Sequence, residues 1–149
     1  MADKYEALRL KNQLCFPLYA CSKEIINHYK PVLDDLDLTY TQYITMMVLW
    51  EKKQMNVKEL GSYLYLDSGT LTPVLKKLES KHYIERSRDK KDERVLNVTV
   101  TPEGEKLQDR ALCVPGKMAG CMMGALNEEE AATLYTLLYK VIDHLHERG

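Results

Sequence analysis

Apolar side chains recur at helical spacing from the start of the chain. Leu10, Leu14, Leu18, Cys21 and Ile25 form a stripe within a stretch of roughly 6–30, the signature of an amphipathic helix. Pro31 is expected to end or bend it. Thr39, with Gln42 three residues on, reads as a capping box, and Tyr43, Met46, Met47 and Trp50 carry a second helix to about 53. Asn56 and Glu59 repeat the capping signal and start a short helix that contains Val57, Leu60 and Leu64. After a break at Leu66-Asp67-Ser68-Gly69, a fourth helix over about 69–81 sets Leu71, Val74, Leu75 and Leu78 on one face. Thr70, Thr72, Lys76, Lys77 and Lys81 occupy the other. Pro73 sits early in this helix, so either the helix starts later than Ser68 or its first turns are bent.

The period then changes. Tyr83-Ile84-Glu85-Arg86 leads into a charged turn, and Leu96, Val98 and Val100 alternate with Asn97, Thr99 and Thr101, the period of a half-buried strand. Nine of the 11 residues from Glu85 to Val95 are charged, which suits the solvated tip of a hairpin. Thr101-Pro102 starts another helix, with proline at the first helical position, running to about Cys113. A methionine-rich stretch follows Pro115-Gly116, with Met118, Met122 and Met123. Asn127 and Glu130 cap a final amphipathic helix that carries Leu134, Leu137, Leu138, Val141, Ile142 and Leu145 to about His146.

This order, two helices, a short helix, a helix, a hairpin and two more helices, predicts a mainly α (α+β) fold. A winged helix-turn-helix is expected over about 39–101 in a single domain spanning 1–149. The terminal parts, about 1–38 and 102–149, are apolar on one face and acidic overall. They have no obvious partner in so short a chain, and predict a dimer interface.

Composition narrows the class. With 149 residues, 45% hydrophobic and 29% charged, the chain suits one soluble globular domain. No apolar run approaches the roughly 18–20 residues of a membrane span. The segment Met1-Ala2-Asp3-Lys4-Tyr5-Glu6 lacks the apolar core of a secretory signal. Four cysteines without such a signal predict a reducing, cytoplasmic setting, with thiols free to be buried, metal-bound or reactive. There is no Cys-x-x-Cys pair, glycine-rich phosphate loop or nucleophile elbow. His144 and His146, two apart on a helix, do not share a face, so neither a metal nor another cofactor is expected.

The net charge of −1 argues against a nucleic-acid partner until it is divided. Residues 1–51 net −2, residues 52–101 net +4 and residues 102–149 net −3. The middle third is thus a basic footprint between acidic flanks. A helix-turn-helix lays its second helix in the major groove of double-stranded DNA. Here that helix begins with Ser68, Thr70 and Thr72, placed to reach base edges. Lys76, Lys77 and Lys81 point toward phosphates. Arg86, Arg88, Lys90, Lys91 and Arg94 make a basic wing, and an arginine there suits the narrow minor groove. The other reading of the same pattern is a helix pair inside an ordinary α+β domain with a solvated hairpin.

The residues also carry a family likeness. Asn12-Gln13-Leu14-Cys15-Phe16, Leu38-Thr39-Tyr40, Tyr43, Leu49-Trp50-Glu51 and Leu66-Asp67-Ser68-Gly69-Thr70-Leu71-Thr72-Pro73 fit one pattern. Leu75-Lys76-Lys77-Leu78-Glu79 and Asp92-Glu93-Arg94 fit it too. The chain resembles the organic hydroperoxide resistance regulators of the MarR family, from about 8 to 115 and more weakly to the end. The resemblance implies a homodimeric winged-helix repressor, not an enzyme, that leaves its operator when a cysteine is oxidised by an organic hydroperoxide. It implies that Cys15 is the sensing thiol. Tyr29 and Tyr40, supplied across the dimer, would hydrogen-bond its thiolate, with Tyr19 nearby. Arg94 matches the family's minor-groove arginine and Asp92 its supporting acid.

The chemistry suits such a role. A free thiol with a pKa of about 8.5 is only a few per cent thiolate at neutral pH, and tyrosine hydroxyls aimed at the sulfur stabilise the anion. Oxidation gives a sulfenic acid, which condenses with another thiol. By the resemblance that partner is Cys121 or, as second choice, Cys113; other members use small-molecule thiols. Cys21, six residues after Cys15, falls nearly on the opposite face of an ideal helix.

Two departures from the pattern stand out. Pro17 lies inside the expected first helix, with no N–H for the carbonyl of Gln13, which would bend the helix beside the sensor. His82 stands in the turn before the wing, where glycine is common. Two other functions fit parts of the pattern: a MarR-type regulator that responds to a small phenolic ligand, and a thiol peroxidase that uses Cys15.

Overall fold

The computed structural model describes residues 2–148, apart from the side chains of residues 122, 123 and 148. It divides into two compact units, one up to Val114 and one from Pro115 onward. In the first unit, two single 3-10 turns precede α1 (Cys15–Asp34), α2 (Tyr40–Lys52), β1 (Gln54–Asn56), α3 (Val57–Leu64), α4 (Ser68–Ser80), β2 (Ile84–Arg88), β3 (Leu96–Val100) and α5 (Pro102–Ala111). Next comes α6 (Val114–Met123), and the second unit also holds α7 (Glu128–Arg148). The fold is mainly helical with one small antiparallel sheet in the order β1-β3-β2. It is the expected winged helix-turn-helix, with α3 and α4 as the helix pair and β2–β3 as the wing.

The helix starts follow local chemistry. The Thr39 hydroxyl accepts the Gln42 N–H while the Gln42 side chain accepts the Thr39 N–H, so two otherwise orphaned donors are satisfied. Asn56 accepts from the Glu59 N–H at 2.8 Å, and the Thr101 hydroxyl accepts from the Gly104 N–H at 3.0 Å. In the second unit Asn127 and Glu130 make the reciprocal pair. The α4 helix starts at Ser68 on an Asp67 cap. Pro73 therefore lies inside it, which answers the question its position raised.

The core of the first unit forms where these helices meet the sheet. Met46 and Leu49 of α2, Leu60 of α3, Leu71 and Leu78 of α4 and Val98 of β3 are fully buried. β3 is the central strand, pairing Val98 with Met55 on one side and with Arg86 on the other. The Trp50 indole N–H donates to the Gly104 carbonyl at 2.8 Å, tying α2 to the first turn of α5. That turn packs so tightly that a Cβ on Gly104 would lie 2.2 Å from the Tyr83 carbonyl oxygen, so only glycine fits.

Several expectations change. The first helix starts at Cys15, not near residue 6. Pro17 is therefore its third residue, where the missing N–H would have had no helical partner anyway. The expected bend beside Cys15 loses its cause. Pro31 does not end the helix, which runs on to Asp34. β1 was not anticipated, because three residues carry no detectable period. Nor was α6, since Pro115-Gly116 reads as a break although proline is tolerated in a first helical turn. The Met122 and Met123 side chains of the methionine-rich stretch lie outside the described residues. Among the described residues, no helix is long and apolar enough to cross a membrane.

Candidate sensor and nucleic-acid interface

Cys15 is the first residue of α1, and its thiol is free and exposed. The residues before it fold the chain back on itself. The Asn12 amide donates to the Glu6 carbonyl at 2.8 Å, and the Gln13 amide to the carbonyls of Ala7 and Arg9 at 2.6 and 3.1 Å. These two side chains buckle the 3-10 turns immediately ahead of the sulfur. That gives the Asn-Gln pair of the motif a structural reason that the sequence alone did not supply. Phe16 and Tyr19 pair beside Cys15 with ring centroids 6.4 Å apart, and both are exposed.

Tyr29 and Tyr40 are elsewhere. Their rings meet at 4.9 Å, and Tyr29 also meets Tyr43 at 5.9 Å, forming an aromatic cluster between α1 and the start of α2. Burial pushes the Tyr40 hydroxyl above its ordinary pKa. Burial raises Tyr43 too, with smaller contributions from Tyr29, Tyr40 and Cys113. Tyr29 lies 14 residues after Cys15 on one continuous helix, a rise of about 21 Å. One chain therefore brings Tyr19 near the thiol but holds Tyr29 and Tyr40 far from it.

The α1 helix is otherwise poorly covered. Leu33 is its one buried residue, while Phe16, Leu18, Tyr19 and Ile26 are exposed. Exposed apolar side chains of this size mark an unfilled contact surface. In α7, Tyr135, Leu137, Val141 and Leu145 are likewise exposed.

Cys21 is exposed on α1, and Cys121 is exposed on α6. Cys113 lies between α5 and α6, where its thiol donates to the Arg110 carbonyl at 3.5 Å. The Arg110 guanidinium in turn donates to the Asp35 carbonyl at 3.0 Å, tying the end of α5 to the end of α1.

The helix pair and wing present a different surface. Asp67 caps α4 by accepting the Thr70 N–H at 2.7 Å. This bond, made first by the Thr70 backbone, holds the Asp67 carboxyl below its ordinary pKa. Ser68, Thr70, Lys76 and Lys77 are exposed, opposite buried Leu71, Leu75 and Leu78. The Thr72 hydroxyl donates to the Ser68 carbonyl at 2.7 Å. Lys81 is not free: its ammonium donates to the Asp37 carbonyl and the Gln42 side chain. It joins the end of α4 to the α1–α2 turn instead of pointing outward as expected.

Arg86 also turns inward. Its guanidinium pairs with Glu79 at 3.0 Å, and its main-chain N–H donates to the same carboxylate. The Arg86 bonds hold Glu79 below the usual carboxylate range. Arg86 thereby fastens the wing to α4. Arg94 is the opposite case. Its side chain is 91% exposed and makes a two-point contact with Asp92, through Nε at 3.1 Å and Nη2 at 3.2 Å. That fork fixes the direction of a guanidinium standing in solvent.

A helix pair with a basic exposed face, followed by a sheet wing that ends in an oriented arginine, is the architecture of a winged-helix transcriptional regulator. A family model described as the transcriptional regulator SarA/Rot matches residues 27–111. The organic hydroperoxide resistance transcriptional regulator of Bacillus subtilis is 41% identical over 149 residues, covering all of both chains. The solved structure of overoxidized AbfR bound to DNA, a protein of Staphylococcus epidermidis, is 34% identical with a TM-score of 0.76. The match covers 96% of this chain and 99% of that one. A mutant MarR from E. coli complexed with operator DNA matches at 25% identity and a TM-score of 0.81, covering 94% of this chain and 99% of the other. The chain belongs to the organic hydroperoxide resistance regulators of the MarR family, transcriptional regulators and not enzymes, and shares the SarA/Rot regulator model over residues 27–111.

Proposed function

We propose that this chain is a homodimeric, cytoplasmic repressor that holds operator DNA while Cys15 is reduced and releases it when an organic hydroperoxide oxidises that thiol. The observation that carries the reading is the separation along α1. Cys15 stands at the head of the helix and the Tyr29–Tyr40 pair lies about 21 Å further along it. A second α1 running antiparallel against the first would bring each sulfur to the other chain's tyrosines and cover the exposed apolar face. The whole 1–149 chain then acts as one functional domain, in which about 1–38 and 102–149 pair the subunits and about 39–101 reads DNA.

The chemistry follows from these groups. The positive end of a helix favours an anion at its first residue, and the tyrosine hydroxyls donate to the sulfur. The thiolate attacks the terminal, hydrogen-bearing oxygen of the peroxide: an S–O bond forms, the O–O bond breaks, and the alkoxide leaves as the alcohol by taking up the proton that the thiol had released. The sulfenic acid then condenses with a thiol, giving a disulfide and water. That thiol is Cys121 of the other subunit, with Cys113 and small-molecule thiols as the alternatives that a test must separate. On DNA, Ser68, Thr70 and Thr72 face the major groove, Lys76 and Lys77 neutralise phosphates, and Arg94, aimed by Asp92, enters the minor groove. Arg86 serves by fastening the wing.

Mixing the protein with an operator duplex and one equivalent of cumene hydroperoxide tests this directly. Wild type is expected to release the duplex and Cys15→Ser to keep it. Peroxide-driven release that survives Cys15→Ser would overturn the sensing role of Cys15, and release by a small phenolic ligand that survives it would favour a ligand-responsive regulator. On a non-reducing gel the oxidised wild type should run as a covalent dimer that Cys121→Ser abolishes. Persistence of that band moves the role to another cysteine, Cys113 first.

A further inference from the structure

The wing tip is built around one acidic side chain within its charged run. Asp89 follows the last residue of β2. Its main-chain N–H donates to the Val95 carbonyl at 2.8 Å. One carboxylate oxygen accepts the N–H groups of Lys91 and Asp92, both at 3.1 Å. The other accepts the Asn97 amide of β3 at 3.0 Å. The tip closes with the Val95 N–H on the Asp92 carbonyl at 3.0 Å. Asp92 in turn holds the exposed Arg94 guanidinium. A continuous set of bonds thus runs from Asn97 through Asp89 and Asp92 to Arg94.

We propose that Asp89 is a positioning residue for DNA binding, which holds the wing tip in the one shape from which Arg94 projects. The inference rests on the DNA-binding reading above. A tip of so many charged residues has no apolar core to order it, and fixing each residue costs backbone entropy. Asp89 supplies the bonds that offset this cost before DNA arrives, so the arginine is preorganised. Asn97, and then the Lys91 and Asp92 backbone, hold the Asp89 carboxyl below its ordinary pKa, so the acceptor is charged at neutral pH.

The sign of the effect separates this role from simple electrostatics. A carboxylate near a phosphate backbone repels it, so by charge alone removing Asp89 should tighten binding. By positioning, removal loosens the tip and weakens specific binding.

The test uses the full-length dimer and a duplex that wild type selects from a random-sequence pool, with a scrambled duplex beside it. Asp89→Ala should bind the selected duplex about tenfold more weakly and the scrambled duplex no more weakly than wild type. Asp89→Asn keeps an oxygen acceptor and should fall between. The Asp89→Ala, Arg94→Ala double variant should be no weaker than Arg94→Ala alone, because the two act through one contact. Asn97→Ala, which removes only the cross-wing bond, carries the test if Asp89→Ala unfolds. Equal or tighter binding by Asp89→Ala, or losses that multiply in the double variant, overturns the proposal. If wild type selects no duplex, the DNA-binding reading itself fails and this inference falls with it.

Discussion

The wing and the head of α1 differ in how much of their chemistry one chain completes. The wing is finished within a single subunit. Asp89 closes the tip, Asp92 aims Arg94, and Arg86 is fastened to Glu79. The thiol end is unfinished. Cys15 and Tyr19 stand at the head of a helix whose middle is exposed, and Tyr29 and Tyr40 meet each other well down its length. A DNA-reading surface gains from being rigid before its ligand arrives. A switch gains from being divided, because its state then depends on how two subunits sit together. Arg110 on Asp35 and Lys81 on Asp37 tie the end of α1, opposite Cys15, to α5 and to α4.

The contrast can be broken from the wing side. Gly104 sits where a Cβ would meet the Tyr83 carbonyl at 2.2 Å. Gly104→Ala should cost about 3 kcal/mol of stability, read as a lowered urea midpoint; an unchanged midpoint would mean that the α5 junction yields easily. Arg94→Ala should weaken operator binding by roughly 1–3 kcal/mol without changing the rate at which peroxide oxidises Cys15. If both move together, the two regions are not separable. His82 holds φ at 66°, a conformation that costs an L residue about 1 kcal/mol. His82→Gly should recover about that much in thermal denaturation, with DNA affinity unaltered.

The smallest effect concerns acid. Glu79 is held below its ordinary pKa, chiefly by the Arg86 hydrogen bond. A depressed carboxylate contributes stability above its unfolded value and loses it as pH falls through the folded one. The attachment of wing to α4 should therefore be constant from pH 7 to about 5 and weaken only below about 4. Amide exchange in β2 would follow it, and Glu79→Gln should flatten the profile.

Signals confined to a few neighbouring residues were legible in the sequence. The capping pairs at Thr39, Asn56, Thr101 and Asn127 all involve a side chain and an N–H three residues away, and each starts a helix where expected. The alternation of Leu96, Val98 and Val100 placed the central strand. What was not legible depended on distant partners. Lys81 reads as a surface cation until it meets Asp37, 44 residues away, and Arg86 until it meets Glu79. Asn12 and Gln13 read as motif letters until the turns they buckle are seen. β1 exists only because β3 is there to pair with it. The placement of Cys15 came from resemblance; its separation from Tyr29 came only with the continuous helix.

In the proposed dimer each thiol is served by the other subunit's tyrosines. A heterodimer tests it most directly, with Cys15→Ser in one subunit and Tyr29→Phe, Tyr40→Phe in the other. The one reactive Cys15 then shares its chain with two phenylalanines but faces the intact tyrosines of its partner. The rate of sulfenic acid formation with cumene hydroperoxide, followed by trapping with dimedone, should match that of wild type and exceed that of the Tyr29→Phe, Tyr40→Phe homodimer. A heterodimer as slow as that homodimer would place the tyrosines in the same chain as the thiol they serve and rule out the shared site.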